Sequence, residues 1–124
     1  DVFADAFADV FADETRPTEE ELDTFWELIN HNEGTEVMHR IIRYLHERRD
    51  NRDRWVDALQ ETDVPLRFAV GPEDPVSGEN MARRYEEVFP NSEVERFEGV
   101  GHYPQWEAPD AVLGSFSGFV KERG

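Results

Sequence analysis

Cysteine is absent from all 124 residues, which excludes disulfides and thiolate metal sites. Lysine is nearly absent, Lys121 standing against twelve arginines. No apolar run approaches the roughly 18 residues that a membrane-spanning helix needs. The N-terminus is acidic, without the basic and then apolar pattern of a secretory signal. These absences lead us to expect a cytoplasmic protein, with no membrane partner.

Charge of one sign dominates what is present. There are 29 acidic residues against 13 basic, for a formal net charge of -16. Such a surface repels nucleic acid and anionic lipid overall. High charge also suits disorder, but nine Phe, three Trp and three Tyr argue for a packed chain. An acid-rich, lysine-poor composition resembles that of proteins from salt-loving organisms, where counterions screen self-repulsion. We therefore expect a halophilic protein.

Along the chain, residues 1–14 carry a four-residue repeat: VFAD, AFAD, VFAD. On a helix, Phe3, Phe7 and Phe11 would share one face, and Asp1, Asp5, Asp9 and Asp13 another. The alternative is a low-complexity duplication with no role of its own. Thr18-Glu-Glu-Glu21 fits a capping box opening a helix with Leu22, Phe25, Trp26 and Ile29 on its apolar face. A turn at 30–34 precedes a second helix with Val37, Met38, Ile41, Ile42 and Leu45 on its buried stripe. A third, from about Asp53 to Glu61, offers Trp55, Val56 and Leu59. From Val64 the pattern alternates through Leu66, Phe68 and Val70, a strand signal. Helical spacing returns at Met81, Ala82, Tyr85, Val88 and Phe89. A second strand covers Ser92 to Glu98. Pro109 opens a last helix whose buried face is Val112, Leu113, Phe116, Phe119 and Val120. Strand, helix, strand, helix is an α/β pattern with a parallel sheet. Two parallel strands alone leave edges open and little core, so the sheet reads as incomplete.

Gly71-Pro-Glu-Asp74-Pro follows the first strand and Gly101-His102-Tyr-Pro follows the second. Loops at the carboxyl ends of parallel strands converge on one crevice. Asp74 and His102 would thus meet there, the carboxylate holding one imidazole nitrogen and leaving the other free as a base. Glu73 is the substitute acid. The competing reading is a turn aspartate and an ordinary loop histidine.

Residues 64–120, with G-x-x-D-P, Phe89-Pro-Asn91 and G-H-Y-P-Q-W-E-x-P, resemble the C-terminal end of the α/β-hydrolase fold. Upstream, Thr15-Arg-Pro-Thr-Glu, the Asn-rich turn at 30–32, Tyr44-Leu45 and Arg54-Trp55-Val56 extend the resemblance to about residues 15–122. With Gly71-Pro-x-Asp74-Pro-Val76 they resemble the mesoderm-specific transcript branch, which is similar to epoxide hydrolases. The resemblance implies a helical cap over 15–62 and a C-terminal core over 63–124. It implies Asp74 as triad acid and His102 as general base, in the chain order of that fold. It also implies a small ester, epoxide or similar substrate, with Tyr44 and Trp26 as substrate-pocket candidates. Core packing is the default for Tyr44.

One departure matters. No Gly-x-Ser-x-Gly or Gly-x-Asp-x-Gly nucleophile elbow is present, and 124 residues are too few for a complete α/β-hydrolase. Gly114-Ser-Phe-Ser-Gly118 is centred on Phe116 within the last helix, where Ser115 and Ser117 would allow close packing. By itself the chain is expected to be inactive, lacking the nucleophile and oxyanion donors. The expected partner is the missing N-terminal hydrolase half, or another chain at the sheet edge. A non-catalytic, partner-binding remnant of the same fold is the alternative function. Glu36-x-x-His39 and His46 read as solvated side chains, so no metal or organic cofactor is expected. Arg40, Arg43, Arg48, Arg49, Arg52 and Arg54 read as a surface ion-pair network, with anion binding as the alternative.

Overall fold

The computed structural model describes residues 2–123, with side chains from Ala4 onward. Two compact units result: Thr18–Asp63 forms one, and the chain up to Pro17 joins the chain from Val64 onward in the other.

The first unit is helical. Thr18 accepts from the Glu21 amide at 3.3 Å, and the Glu21 carboxylate accepts from the Thr18 amide at 2.8 Å. This closes the expected capping box at the start of α2 (Glu19–Asn30) and satisfies N–H groups that a first turn leaves open. Asn32 and Glu33 then turn the chain with φ of 51° and 59°. Next come α3 (Gly34–Ile41), α4 (Tyr44–Asp50) and α5 (Arg52–Glu61).

The single helix expected through Leu45 is broken after Ile41. Its stripe is also not buried: Val37, Met38 and Leu45 are exposed, Ile41 at 62% and Ile42 at 59%. Trp55 and Leu59 are exposed as well. Four short helices enclose too little volume to bury an apolar face each, and no described residue of this unit is fully buried.

The second unit holds the sheet. Strands β1 (Arg67–Val70) and β2 (Glu93–Arg96) pair in parallel, from Arg67 opposite Glu93 to Val70 opposite Arg96. The connection runs through α6 (Glu79–Val88), where Ala82 is fully buried and Tyr85 stacks between Phe68 and Phe89, at 4.8 and 4.6 Å. Val70, Phe97 and Val100 complete this part of the core. The ladder begins later than the alternation suggested, Val64 being exposed.

After β2 come α7 (Pro104–Glu107) and α8 (Pro109–Arg123). The apolar face expected for the last helix is not buried: Leu113, Phe116 and Val120 are exposed, and only Val112 and Phe119 are half-buried. Polar contacts tie α8 to the sheet instead. Arg67 donates to the Ser115 carbonyl at 3.1 Å and lies 4.8 Å over the Phe119 ring. Ser115 donates to Glu95, and Arg123 pairs with Glu93. A Cβ on either Gly114 or Gly118 would meet open space.

The N-terminal repeat is part of this unit's core. Its helix, α1, covers only Val2–Ala8, so Phe11 lies beyond it. Ala8, Phe11 and Ala12 are nevertheless buried, and Phe7 meets Phe11 edge-on at 5.4 Å. Asp9 is paired with Arg16 at 2.7 Å. Asp1 and the Phe3 side chain of the expected rows lie outside the described residues.

Candidate active site

Parallel pairing brings the loops after β1 and β2 to the same end of the sheet. Backbone contact then fixes their approach. A Cβ on Gly71 would stand 2.1 Å from the Gly101 carbonyl oxygen, so a side chain there would drive the loops apart. The Glu73 amide donates across to the Val100 carbonyl at 3.1 Å.

In this setting Asp74 and His102 meet. Nδ1 of His102 lies 2.8 Å from Oδ2 of Asp74. The Asp74 side chain is 5% exposed and that of His102 31%, so the carboxylate is sheltered while the imidazole reaches the surface. Two further donors hold the carboxylate: the Val76 amide at 2.7 Å on Oδ1, and the Ser77 hydroxyl at 2.7 Å on Oδ2. Burial pushes the Asp74 carboxyl up, but the bonds from Ser77, Val76 and His102 outweigh it and hold the group below its ordinary value. An ionised carboxylate requires a proton on Nδ1 of a neutral ring. Nε2 is then the basic nitrogen, which is what a general base needs. Glu73, the substitute acid, is exposed and makes no such contact with His102.

The histidine loop is held from its other side by the N-terminal segment. The His102 amide donates to the Val10 carbonyl at 2.9 Å. A Cβ on Gly101 would stand 2.5 Å from the Ala12 nitrogen and 2.7 Å from the Val10 oxygen, so the two backbones cross in contact. Tyr103 sets its ring edge-on to His102 at 4.8 Å and packs on Phe7 and Phe11 at 5.6 and 5.1 Å. Burial, and then the Asp74 charge, raise the Tyr103 phenol above its ordinary value.

Glu107 escaped the sequence reading except as a letter of the histidine motif. Its Oε2 accepts from the amides of Gly101 (2.7 Å) and Ala12 (3.0 Å) and from the Thr15 hydroxyl (2.5 Å). Its Oε1 accepts from the Tyr103 amide at 2.9 Å. Burial raises this carboxyl, and the four donors more than offset that, leaving it below its ordinary value. Partners 95 and 92 residues upstream give no local sequence signal.

Trp26 and Tyr44 stand in the helical unit, not in the unit that holds the pair. Both are exposed, so neither is a core residue, and Arg48 lies 5.7 Å over the Tyr44 ring. Of the arginine cluster, Arg49 and Arg52 pair with Asp50 and Asp53. Arg40, Arg43, His46 and Glu47 line a surface concavity of about 340 Å³. Among the described residues, no three His, Asp or Glu side chains gather as metal ligands.

Known proteins give this geometry a context. The chain is 36% identical over 108 residues to the mesoderm-specific transcript protein of Mus musculus and to its Homo sapiens homolog. Each match covers 86% of this chain and 32% of the relative. It is 39% identical over 92 residues to “Putative hydrolase LipZ” of Mycobacterium tuberculosis, covering 74% of this chain and 32% of that protein. The matches thus span about a third of the length of these relatives. No protein-family model and no solved structure matches the chain. Over most of its length this chain is a homologue of the mesoderm-specific transcript proteins and of LipZ, and it is related to the α/β-hydrolases.

Proposed function

We propose that the chain is the C-terminal part of an α/β-hydrolase acting on an ester, epoxide or similar small substrate. Asp74 is the triad acid and His102 the general base. The observation that carries this reading is the 2.8 Å bond between a sheltered carboxylate and a histidine, from loops at the same end of two parallel strands. Nε2 of His102 would take a proton from a nucleophile hydroxyl or from water, and Asp74 would stabilise the resulting imidazolium. Residues 15–62 would be the cap, with Trp26 and Tyr44 as its candidate substrate contacts, and 63–124 the C-terminal core. No metal or organic cofactor enters the scheme.

The nucleophile and oxyanion donors would come from a preceding hydrolase half, which also adds strands to the two described here. Strongly exposed side chains such as Ile41, Ile42, Leu113 and Phe116 favour such a neighbour. The same exposure supports the alternative, a catalytically silent module of this fold that binds a partner. The reading frame upstream of Asp1 separates them. A strand, nucleophile elbow and helix in frame support the enzyme, a Ser elbow indicating ester chemistry and an Asp elbow epoxide chemistry. A start codon at this point, with no hydrolase half before it, favours the silent module. The acidic, lysine-poor surface supports a halophilic, cytoplasmic setting.

A further inference from the structure

Three successive amides carry the candidate base, and each is fixed by an acceptor from elsewhere in the chain. The His102 amide is held by the Val10 carbonyl at 2.9 Å, while those of Gly101 and Tyr103, on either side, are held by Glu107 at 2.7 and 2.9 Å. The same carboxylate reaches the Ala12 amide at 3.0 Å and the Thr15 hydroxyl at 2.5 Å, so it binds the crossing N-terminal segment that supplies Val10. Charged acceptors make the stronger hydrogen bonds, and one carboxylate offers about four lone-pair sites. Here three donors converge on Oε2 and one on Oε1.

We propose that Glu107 is a positioning residue for the Asp74–His102 pair. It locks the histidine loop onto residues 10–15 so that Nδ1 meets Asp74 and Nε2 stays open. The inference rests on the reading of His102 as general base. Glu107 touches neither ring nitrogen. It acts through the backbone on both sides of His102, where a small shift of the loop would swing the ring off the carboxylate. The N-terminal repeat thereby has a role: its last unit is the surface on which the histidine loop is mounted.

The test is the tautomer of His102, read from ring ¹⁵N shifts of the full chain labelled at histidine. The signal is assigned by its loss in His102→Gln, since the chain has four histidines. In the wild type the neutral ring should carry its proton on Nδ1. Glu107→Ala should return the ring to the mixed, mostly Nε2-protonated population of a free histidine. Glu107→Gln should restore the wild-type tautomer only in part, because its amide oxygen can keep the Gly101, Ala12 and Thr15 donors while its NH2 meets the Tyr103 amide donor to donor. A residue that merely stabilised the fold would lower the melting temperature in both variants without moving the tautomer. If the alanine variant does not fold, Glu107→Asp carries the test, being charged but one methylene short; there too the Nδ1–H form should fall. An unchanged tautomer in a folded Ala or Asp variant overturns the proposal. A wild type without the Nδ1–H form overturns the reading of the pair itself, and the inference with it.

Discussion

At the scale of single residues, the site depends on two carboxylates that accept more hydrogen bonds than they have charge partners. Asp74 has its folded value held below the 3.8 of a free aspartate. Its stabilising contribution is therefore fully present above that unfolded value, and is lost as pH falls through the lower folded one. In urea titrations the stability gap between wild type and Asp74→Asn should narrow as pH falls below 3.8. A gap that instead widens below 3.8 would contradict the assignment. Gly101 makes a different demand. A methyl group there overlaps three backbone atoms of the N-terminal segment. Gly101→Ala should cost about 1–3 kcal/mol or more, and hydrogen exchange at Ala12 and His102 should accelerate together. The pair itself was legible in the sequence, because Gly-x-x-Asp and Gly-His follow strand patterns in the right order. Glu107 was not, since its partners are mostly backbone amides whose position no side-chain pattern encodes.

At the scale of elements, periodicity located the helices and strands but misjudged what they bury. The capping box at Thr18 and the parallel pairing of two strands are local or near-local features, and they form as read. Burial is a property of neighbours. The stripes on α3, α4 and α8 have the spacing of core faces, yet Ile41, Leu113 and Phe116 are exposed. What α8 loses in apolar contact it recovers in part from Arg67, whose side chain reaches Glu93, Glu95 and Glu122 and lies over Phe119. Its partners Glu93, Glu95 and Glu122 are substantially exposed, so these pairs are individually weak. Arg67→Met, which keeps the stem but removes the charge, should therefore lower stability modestly. A thermal melt should show the deficit shrinking as salt screens the wild-type network. A deficit unaffected by salt would mean that packing on Phe119, not charge, holds α8.

At the scale of the whole molecule, a net charge of -16 and exposed apolar faces act together. Self-repulsion among the acids weakens a compact state at low ionic strength, and counterions relieve it. Thermal stability should thus rise from dilute buffer into molar salt; a fall would remove the case for a halophilic protein. The apolar faces predict that this chain alone binds a hydrophobic dye, and that a longer polypeptide carrying the proposed hydrolase half would bind less. The proposed chemistry makes Asp74 and His102 the acid and base of a hydrolase. The most direct test is turnover of chromogenic ester and epoxide probes by the complete polypeptide carrying His102→Gln. A loss of about 10³-fold or more in kcat is expected, with the fold intact. Turnover within a few-fold of the wild type would contradict it.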